Sequence, residues 1–224
     1  RHPRHGRRQA RREEHRRGTE QIIFVSESAQ KRTSARFLNT ISHEGRTIMN
    51  LWHDIAPARV RPEDFFAVIE IEKGSKNKYE MDKETGALRL DRILYTSTHY
   101  PANYGFIPRT WADDGDPLDV LVLCSECIRP LSLVECYPIG VISMEDSGSL
   151  DEKIIAIPFQ DPTYNTYQDI SELPNHVASE IRHFFRVYKS LEGKETVVSD
   201  VLGREEAIKI IIKCQNAYIE KYCR

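Results

Sequence analysis

The sequence predicts an α+β domain in which a small β-barrel is followed by two C-terminal helices. Short strand-like runs bounded by turn residues follow one another between residues 65 and 157. Beyond Pro158 the spacing of apolar residues changes from the period of two typical of strands to the period of about 3.6 typical of helices. Because the helices come late rather than between the strands, the order favours a barrel over a βαβ sheet.

The first three predicted strands cover residues 65–71, 78–81 and 88–92, and we expect them to form an antiparallel meander. In the second of these strands Lys78 and Glu80 share a face, because side chains alternate along a strand. A cation therefore lies beside a carboxylate. This pair is either part of a functional site or an ion pair on the surface.

A turn with three carboxylates, Asp114, Asp116 and Asp119, lies between two strand-like runs. The run that follows, residues 120–123, is typical of a buried strand. Three anions this close repel one another unless a cation lies among them, and oxygen ligands in a short loop suit magnesium, manganese or calcium. A solvated acidic turn is the alternative, which the rigid Pro117 and the strand behind it disfavour.

The remaining predicted strands cover residues 133–142 and 153–157, and a polar loop at 145–152 between them carries Asp146 and Asp151. One helix is predicted to begin near Pro174 and to end at Gly193, and a second to span residues 204–222. The apolar stripes expected to face the core are Val177, Ile181, Phe184, Phe185, Tyr188 and Leu191 in the first helix, and Ala207, Ile208, Ile211, Ile212 and Ile219 in the second.

The composition is that of a soluble globular protein, with 224 residues of which 40% are hydrophobic and 29% are charged. No apolar run approaches the length of a membrane span. Five cysteines, an odd number at low density, favour a reducing compartment, and we predict a cytoplasmic location. The CxxC motif at Cys124 and Cys127 lacks a second ligand pair at zinc-finger spacing, which disfavours a zinc or redox role.

The net charge of −2 is unevenly distributed, since residues 1–48 hold 12 Lys and Arg against 5 Asp and Glu, while residues 49–224 hold 20 against 29. With eight arginines among the first 20 residues, we predict that residues 1–48 form a disordered extension and that residues 49–224 form the domain. The favoured interpretation is that residues 1–48 are vestigial or misassigned sequence and that translation naturally starts at Met49. A basic nucleic-acid-binding arm and an Arg-rich transit peptide are the alternatives.

Deletion of residues 1–48 is expected to leave turnover and thermal stability nearly unchanged, because this segment has little apolar surface to bury and every candidate site residue lies in the domain. The specific activity and the Tm of full-length and truncated protein check this expectation. A several-fold loss of activity on truncation would show that the segment packs on the domain.

The candidate residues also include a set of cations and phenols, namely Lys78, Arg92, Lys153 and Lys189 with Tyr100, Tyr104 and Tyr188. Carboxylates hold metal ions, whereas cations and phenols bind phosphate oxygens. Transfer of a phosphoryl group to water needs mainly positioning and neutralisation of charge, which a pair of metal ions about 3.5 to 4 Å apart can supply. There is no GxxxxGK[ST] motif, which argues against a P-loop nucleotide triphosphatase.

The motif DGDPLDVLV, preceded by YPANYGFIP, resembles the signature region of the soluble inorganic pyrophosphatases with the small-barrel fold. The resemblance extends from about residue 65 to residue 191 and includes VIEI, KYEMDKETGALRLDR, DSGSLDEK and HFFRVYK. It implies a five-stranded OB-like barrel. It also implies hydrolysis of pyrophosphate to two orthophosphates by a magnesium-activated water, in a homo-oligomer that is a hexamer in bacterial forms.

Matched position by position, the resemblance implies a role for each candidate residue. Asp116 is the general base. The implied metal ligands are Asp114, Asp119 and Asp151 for a first ion, with Asp119 shared with a second, and Asp146 and Glu80 for ions that arrive with the substrate. The implied phosphate contacts are Lys78, Arg92, Tyr104, Tyr188 and Lys189, of which Lys78, Arg92 and Tyr104 also count as catalytic. The implied supporting residues are Glu70, Tyr100 and Lys153.

One position departs from the pattern, since many family members place a second acid directly after the position of Asp146, where this chain has Ser147. The sequence is also compatible with two other functions. A five-stranded barrel also suits binding of nucleic acid, with the basic segment as an arm, although the net negative charge of residues 49–224 opposes this. A metal-dependent hydrolase acting on another phosphoanhydride is the third hypothesis.

Overall fold

The computed structural model describes residues 49–146, 149–194 and 196–223, except the side chains of Asp146 and Ser149. The predicted N-terminal extension therefore lies outside the described residues. The strands within these ranges are β1 (Val60–Arg61), β2 (Asp64–Ile71), β3 (Asn77–Met81), β4 (Leu88–Ile93), β5 (Asn103–Phe106), β6 (Asp119–Val122), β7 (Leu133–Asp146), β8 (Ser149–Pro158) and β9 (Thr196–Gly203). The α-helices are α1 (Asn175–Val187) and α2 (Arg204–Tyr222).

Five of the strands close into a ring in the order β2, β5, β6, β8 and β7, because β7 pairs back with β2. The pairing of β6 with β8 is parallel and the other pairings in the ring are antiparallel. The long strand β7 pairs with two strands along the same edge, since its first residues pair with β2 and its last residues pair with β9. A closed barrel of five strands is the architecture that the sequence predicted.

The helices pack on different parts of this barrel. Phe184 and Phe185 of α1 join a core with Tyr100 and Tyr104, while Ala207 and Ile211 of α2 join the core that lines β2, β6 and β8. No helix among the residues that the structure describes combines the length and the apolar character that a membrane crossing requires.

The structure corrects the predicted helices in two respects. Helix α1 ends at Val187, and a short 3₁₀ turn follows that ends at Gly193, whose φ of 69° is left-handed. Leu191 lies in this turn rather than on the apolar face of the helix, and it is 68% exposed. Helix α2 has the predicted bounds, but Ile212 and Ile219 lie on its exposed side. The face of α2 that meets the barrel consists of Ala207, Ile210, Ile211, Cys214 and Tyr218.

Two further predictions about the strands were wrong. The predicted meander does not form, since β3 and β4 make a separate two-stranded sheet while β2 pairs with β1, β5 and β7. The polar loop predicted at 145–152 is instead the end of a long hairpin, in which Met144 pairs with Asp151. Asp151 therefore lies in a strand, because cross-strand hydrogen bonds with β7 outweigh the polar character of the segment. Strand β9 was not predicted from the sequence.

Candidate active site

A cavity of about 480 Å³ lies between β3, the acidic turn before β6, the start of β8 and the C-terminal end of α1. Eleven of the predicted site residues line it. They are Glu70, Lys78, Glu80, Tyr104, Asp114, Asp116, Asp119, Asp151, Lys153, Tyr188 and Lys189. Residues that are separated by more than 100 positions in the sequence therefore face one space.

Lys153 lies at the centre of the charged groups. The parallel register of β6 and β8 pairs Asp119 with Lys153, and Lys153 Nζ donates to Asp119 Oδ2 and to Asp151 Oδ1, at 2.6 Å each. Nζ also lies 3.1 Å from the hydroxyl of Tyr104, which itself donates to Asp119. The side chain of Lys153 is only 3% exposed. Burial alone would lower the pKa of Lys153, but the two carboxylates raise it well above its ordinary value.

Tyr104 reaches this position because Gly105 follows it. A Cβ atom on Gly105 would lie 1.8 Å from the backbone oxygen of Val68, so only glycine allows β5 to approach β2 this closely. The Tyr104 ring is buried against Tyr100 and Phe185. Burial, together with the nearby Asp119, raises the pKa of Tyr104 well above its ordinary value, so its hydroxyl is a hydrogen-bond donor.

The acidic turn is held by its own backbone. Gly115 has a φ of 86°, and the backbone N–H of Asp116 donates to Asp114 Oδ1 at 3.1 Å. Although Asp114 belongs to an exposed turn, partial burial of its carboxyl group raises its pKa to about 6, and Asp119 and Asp151 add to this rise. Asp116 differs, because its half-exposed carboxylate forms an ion pair with Lys83. The turn thus presents two carboxylates in distinct surroundings.

Glu70 and the pair on β3 complete one wall of the cavity. Glu70 is buried and accepts a hydrogen bond of 2.7 Å from the backbone N–H of Met81, which ties β2 to β3. Burial raises the pKa of Glu70 to about 8, and the negative charges of Asp119 and Glu80 act in the same direction. Lys78 forms an ion pair with Glu80, as their shared face predicted.

A model of the inorganic pyrophosphatase family matches residues 67–219, which is more than half of the chain. The chain belongs to the inorganic pyrophosphatase family. It is 50% identical over 176 residues to soluble inorganic pyrophosphatase 2 of Chlamydomonas reinhardtii, a match that covers 79% of this chain and 92% of that protein. It is 46% identical over 189 residues to soluble inorganic pyrophosphatase 1 of Arabidopsis thaliana, covering 84% of this chain and 89% of that protein.

Solved structures of the family show the same architecture. The inorganic pyrophosphatase of Helicobacter pylori matches with a TM-score of 0.69 at 45% identity, covering 71% of this chain and 95% of that one. That of Thermus thermophilus matches with a TM-score of 0.70 at 40% identity, covering 76% and 99%. Together with the closed ring of strands, these matches confirm the OB-like barrel. None of these relatives supports the nucleic-acid alternative.

Two predicted site residues of this family member, Arg92 and Tyr100, do not line the cavity, and a third, Asp146, has a side chain outside the described atoms. Arg92 binds Glu192 and Asp91, and its buried Nη2 has no partner among the described residues. Tyr100 is buried, and its ring centroid lies 5.3 Å from that of Tyr104. Asp146 pairs with Ser149 through the backbone at the end of the hairpin, and its side chain lies outside the described atoms.

Two cations at the cavity, Lys83 and Arg89, were missed by the sequence analysis. Lys83 contacts Asp116, and Arg89 lies 3.3 Å from Glu80. The register of the β3–β4 hairpin pairs Glu80 directly with Arg89. The position of Arg89 could therefore have been predicted from the sequence, because folding the predicted strands about the turn at Gly86 brings Glu80 and Arg89 opposite each other.

Enzymes of this family depend on metal ions. The donor atoms around the cavity should therefore suit a metal ion. Within residues 49–146, 149–194 and 196–223, no three acidic, histidine or cysteine side chains already enclose a point suited to a metal ion. Instead, Lys153 Nζ lies between Asp119 and Asp151 and attracts their oxygens. The donors around the cavity are nevertheless carboxylates, which is the chemistry that hard divalent cations require.

Proposed function

We propose that this chain hydrolyses inorganic pyrophosphate to two orthophosphates by direct attack of water, in the cavity centred on Lys153. The observation that carries this proposal is the convergence of predicted metal ligands and predicted phosphate contacts on one cavity. Family membership supplies the substrate class. No nucleophilic side chain is needed, because positioning and charge neutralisation account for most of the catalysis of phosphoryl transfer.

The carboxylates would hold the divalent cations. Asp114, Asp119 and Asp151 are the proposed ligands of a first ion, with Asp119 shared with a second, and Asp146 and Glu80 are the proposed ligands of ions that accompany the substrate. When bound, these ions would supply Lewis-acid polarisation and lower the pKa of the attacking water. Lys153 would orient Asp119 and Asp151, to each of which it donates at 2.6 Å.

The chain's other residues move the proton and bind the substrate. Asp116 is proposed as the general base, because its half-exposed carboxylate lies on the cavity wall apart from the pair that Lys153 holds. The proposed phosphate contacts are Lys78, Arg92, Tyr104, Tyr188 and Lys189. Arg92 does not line the cavity, so it would have to exchange its contacts with Asp91 and Glu192 for a phosphate oxygen.

The test is release of orthophosphate from pyrophosphate by the purified full-length protein, with tripolyphosphate and a nucleoside triphosphate as competing substrates. We expect the specificity constant for pyrophosphate to exceed those of the other two substrates and activity to vanish with a chelator. A higher specificity constant for either competing substrate would instead support a hydrolase of another phosphoanhydride. No phosphate release from any of the three would overturn the proposal.

Magnesium is expected to give the highest activity, manganese to replace it in part, and calcium to bind without supporting turnover. The physical reason is that calcium is larger, tolerates loose coordination and acidifies bound water less. Phosphate release in each metal, followed by addition of calcium to the magnesium enzyme, measures this order. Turnover with calcium equal to that with magnesium would contradict it.

The cytoplasmic location and the homo-oligomer are also proposals. The five cysteines all lie in the described residues and carry free thiols, which supports the proposed reducing, cytoplasmic location. The proposed homo-oligomer, such as a hexamer, is supported by exposed apolar side chains on the edge strand β9, Val197 and Leu202.

A further inference from the structure

A lysine on the outer side of the barrel connects the two segments that carry the predicted ligands. Lys213, on α2, places Nζ 2.7 Å from Asp113 Oδ2 and 3.5 Å from Glu152 Oε2. Asp113 directly precedes Asp114 in the acidic turn, and Glu152 directly follows Asp151 in β8. One ammonium group therefore contacts the immediate neighbour of each of two predicted ligands.

The alternation of side chains along β8 explains how this contact is possible. Asp151 and Lys153 point into the cavity, so Glu152 between them points to the opposite face, where α2 packs. The carboxylate of Glu152 is only 12% exposed, whereas the Lys213 side chain is 48% exposed. Burial raises the pKa of Glu152, and the charge of Lys213 opposes that rise. The lysine thus compensates a largely buried charge on the far side of the strand.

A second contact from the next residue of α2 holds the same turn. The carbonyl oxygen of Cys214 accepts a hydrogen bond of 2.9 Å from the backbone N–H of Trp111, two residues before Asp113. Cys214 itself is buried in the core beneath β6 and β8. Helix α2 is therefore fixed to the barrel at Cys214. It contacts the segment that leads into the acidic turn twice, at Trp111 through its backbone and at Asp113 through Lys213.

We propose that Lys213 is a positioning residue that fixes the spacing between Asp114 and Asp151, and hence the affinity of the metal ion that they share. The inference rests on the proposed function, because it assumes that both carboxylates hold one ion. Groups that orient metal ligands without touching the metal typically change affinity by about 10- to 100-fold when removed. Since Lys213 is half-exposed, we expect the lower end of that range.

The direction in which magnesium affinity changes distinguishes a positioning role of Lys213 from a purely electrostatic one. Removing a positive charge near a cation site should strengthen magnesium binding, because repulsion is reduced. Loss of positioning should weaken it. Lys209→Met is the matched control, since Lys209 lies one turn earlier on α2 and forms an ion pair with Glu206 of the same helix. It removes the same charge from the same helix without touching the acidic turn.

The experiment measures magnesium affinity of the full-length protein by calorimetry in the absence of substrate, and the magnesium dependence of phosphate release. For Lys213→Met we expect about 10-fold weaker binding, a matching rise in the magnesium needed for half-maximal activity, and an unchanged rate at saturating magnesium. For Lys209→Met we expect a change of less than about 2-fold. Lys213→Arg should restore most of the affinity, because it can still bind both carboxylates.

Unchanged or tighter magnesium binding by Lys213→Met would overturn the inference. If that variant does not fold, Lys213→Ala removes the same ion pairs with a residue that favours the helix, and it should likewise bind magnesium about 10-fold more weakly. Normal or tighter binding by Lys213→Ala would equally overturn the inference. A wild-type protein that binds magnesium but releases no phosphate would refute the proposed function alone, because the calorimetric comparison does not require turnover.

Discussion

Replacement of Asp116 by asparagine is expected to lower the turnover number by about 10²- to 10⁴-fold, because the variant loses the proposed base for the attacking water. Asparagine keeps the shape of the side chain but cannot accept a proton at neutral pH. Asp116 is half-exposed and paired with Lys83, whereas Asp119 and Asp151 converge on Lys153. Magnesium affinity is therefore expected to persist largely. Steady-state rates at several magnesium concentrations measure both quantities.

Asp119→Asn is the matched comparison, since it makes the same chemical change in a residue with a different proposed role. Removing the charge of the shared ligand should weaken magnesium binding, so raising the magnesium concentration should recover part of the lost activity. The two variants are expected to diverge on magnesium titration. Rescue of Asp116→Asn by excess magnesium to the same extent would mean that Asp116 acts mainly as a ligand.

Replacement of Lys153 by methionine is expected to cost about 3 to 5 kcal/mol of unfolding free energy in the absence of metal. The variant leaves Asp119 and Asp151 beside each other without the ammonium that now lies 2.6 Å from each. For a chain of this size the corresponding fall in Tm is on the order of 10 °C. Magnesium should restore part of this loss, because a bound divalent cation stabilises the folded state and offsets the two negative charges.

Denaturant unfolding of this variant with and without magnesium checks the prediction, and Lys209→Met again serves as the control. The control should change the unfolding free energy by less than about 1 kcal/mol, because exposed ion pairs contribute little. A Lys153→Met protein as stable as the control without metal would show that the two carboxylates are not held as ionised groups in the folded protein.

The fold was predictable where local patterns decide it. The strands β2, β3, β4 and β6 and the bounds of α2 follow from side-chain period and turn residues. Strand β9 escaped prediction because Val197 and Leu202 are exposed, so the segment lacks a clear alternation of buried and exposed positions. The extension of β7 and β8 past residue 145 depends on their mutual pairing, which polar composition does not indicate.

The site was predictable to the extent that neighbours in sequence are neighbours in space. The acidic turn and the pair Lys78 and Glu80 follow from spacing alone, while the roles of the remaining residues came from the family resemblance. Lys213 could not be found in this way, because its contact with Asp113 joins residues 100 positions apart. Only the packing of α2 against the barrel brings them together.

The parallel pairing of β6 with β8 has a consequence for how the chain folds. Asp119 and Lys153 are separated by 34 positions, and the whole of β7 lies between their strands along the chain. Such non-local contacts form slowly, because the entropy of loop closure must be lost first. We therefore expect the charges at the centre of the cavity to be compensated late in folding. A metal ion that recognises the completed cavity is then expected to act mainly by slowing unfolding, because interactions absent from the folding transition state change the unfolding rate.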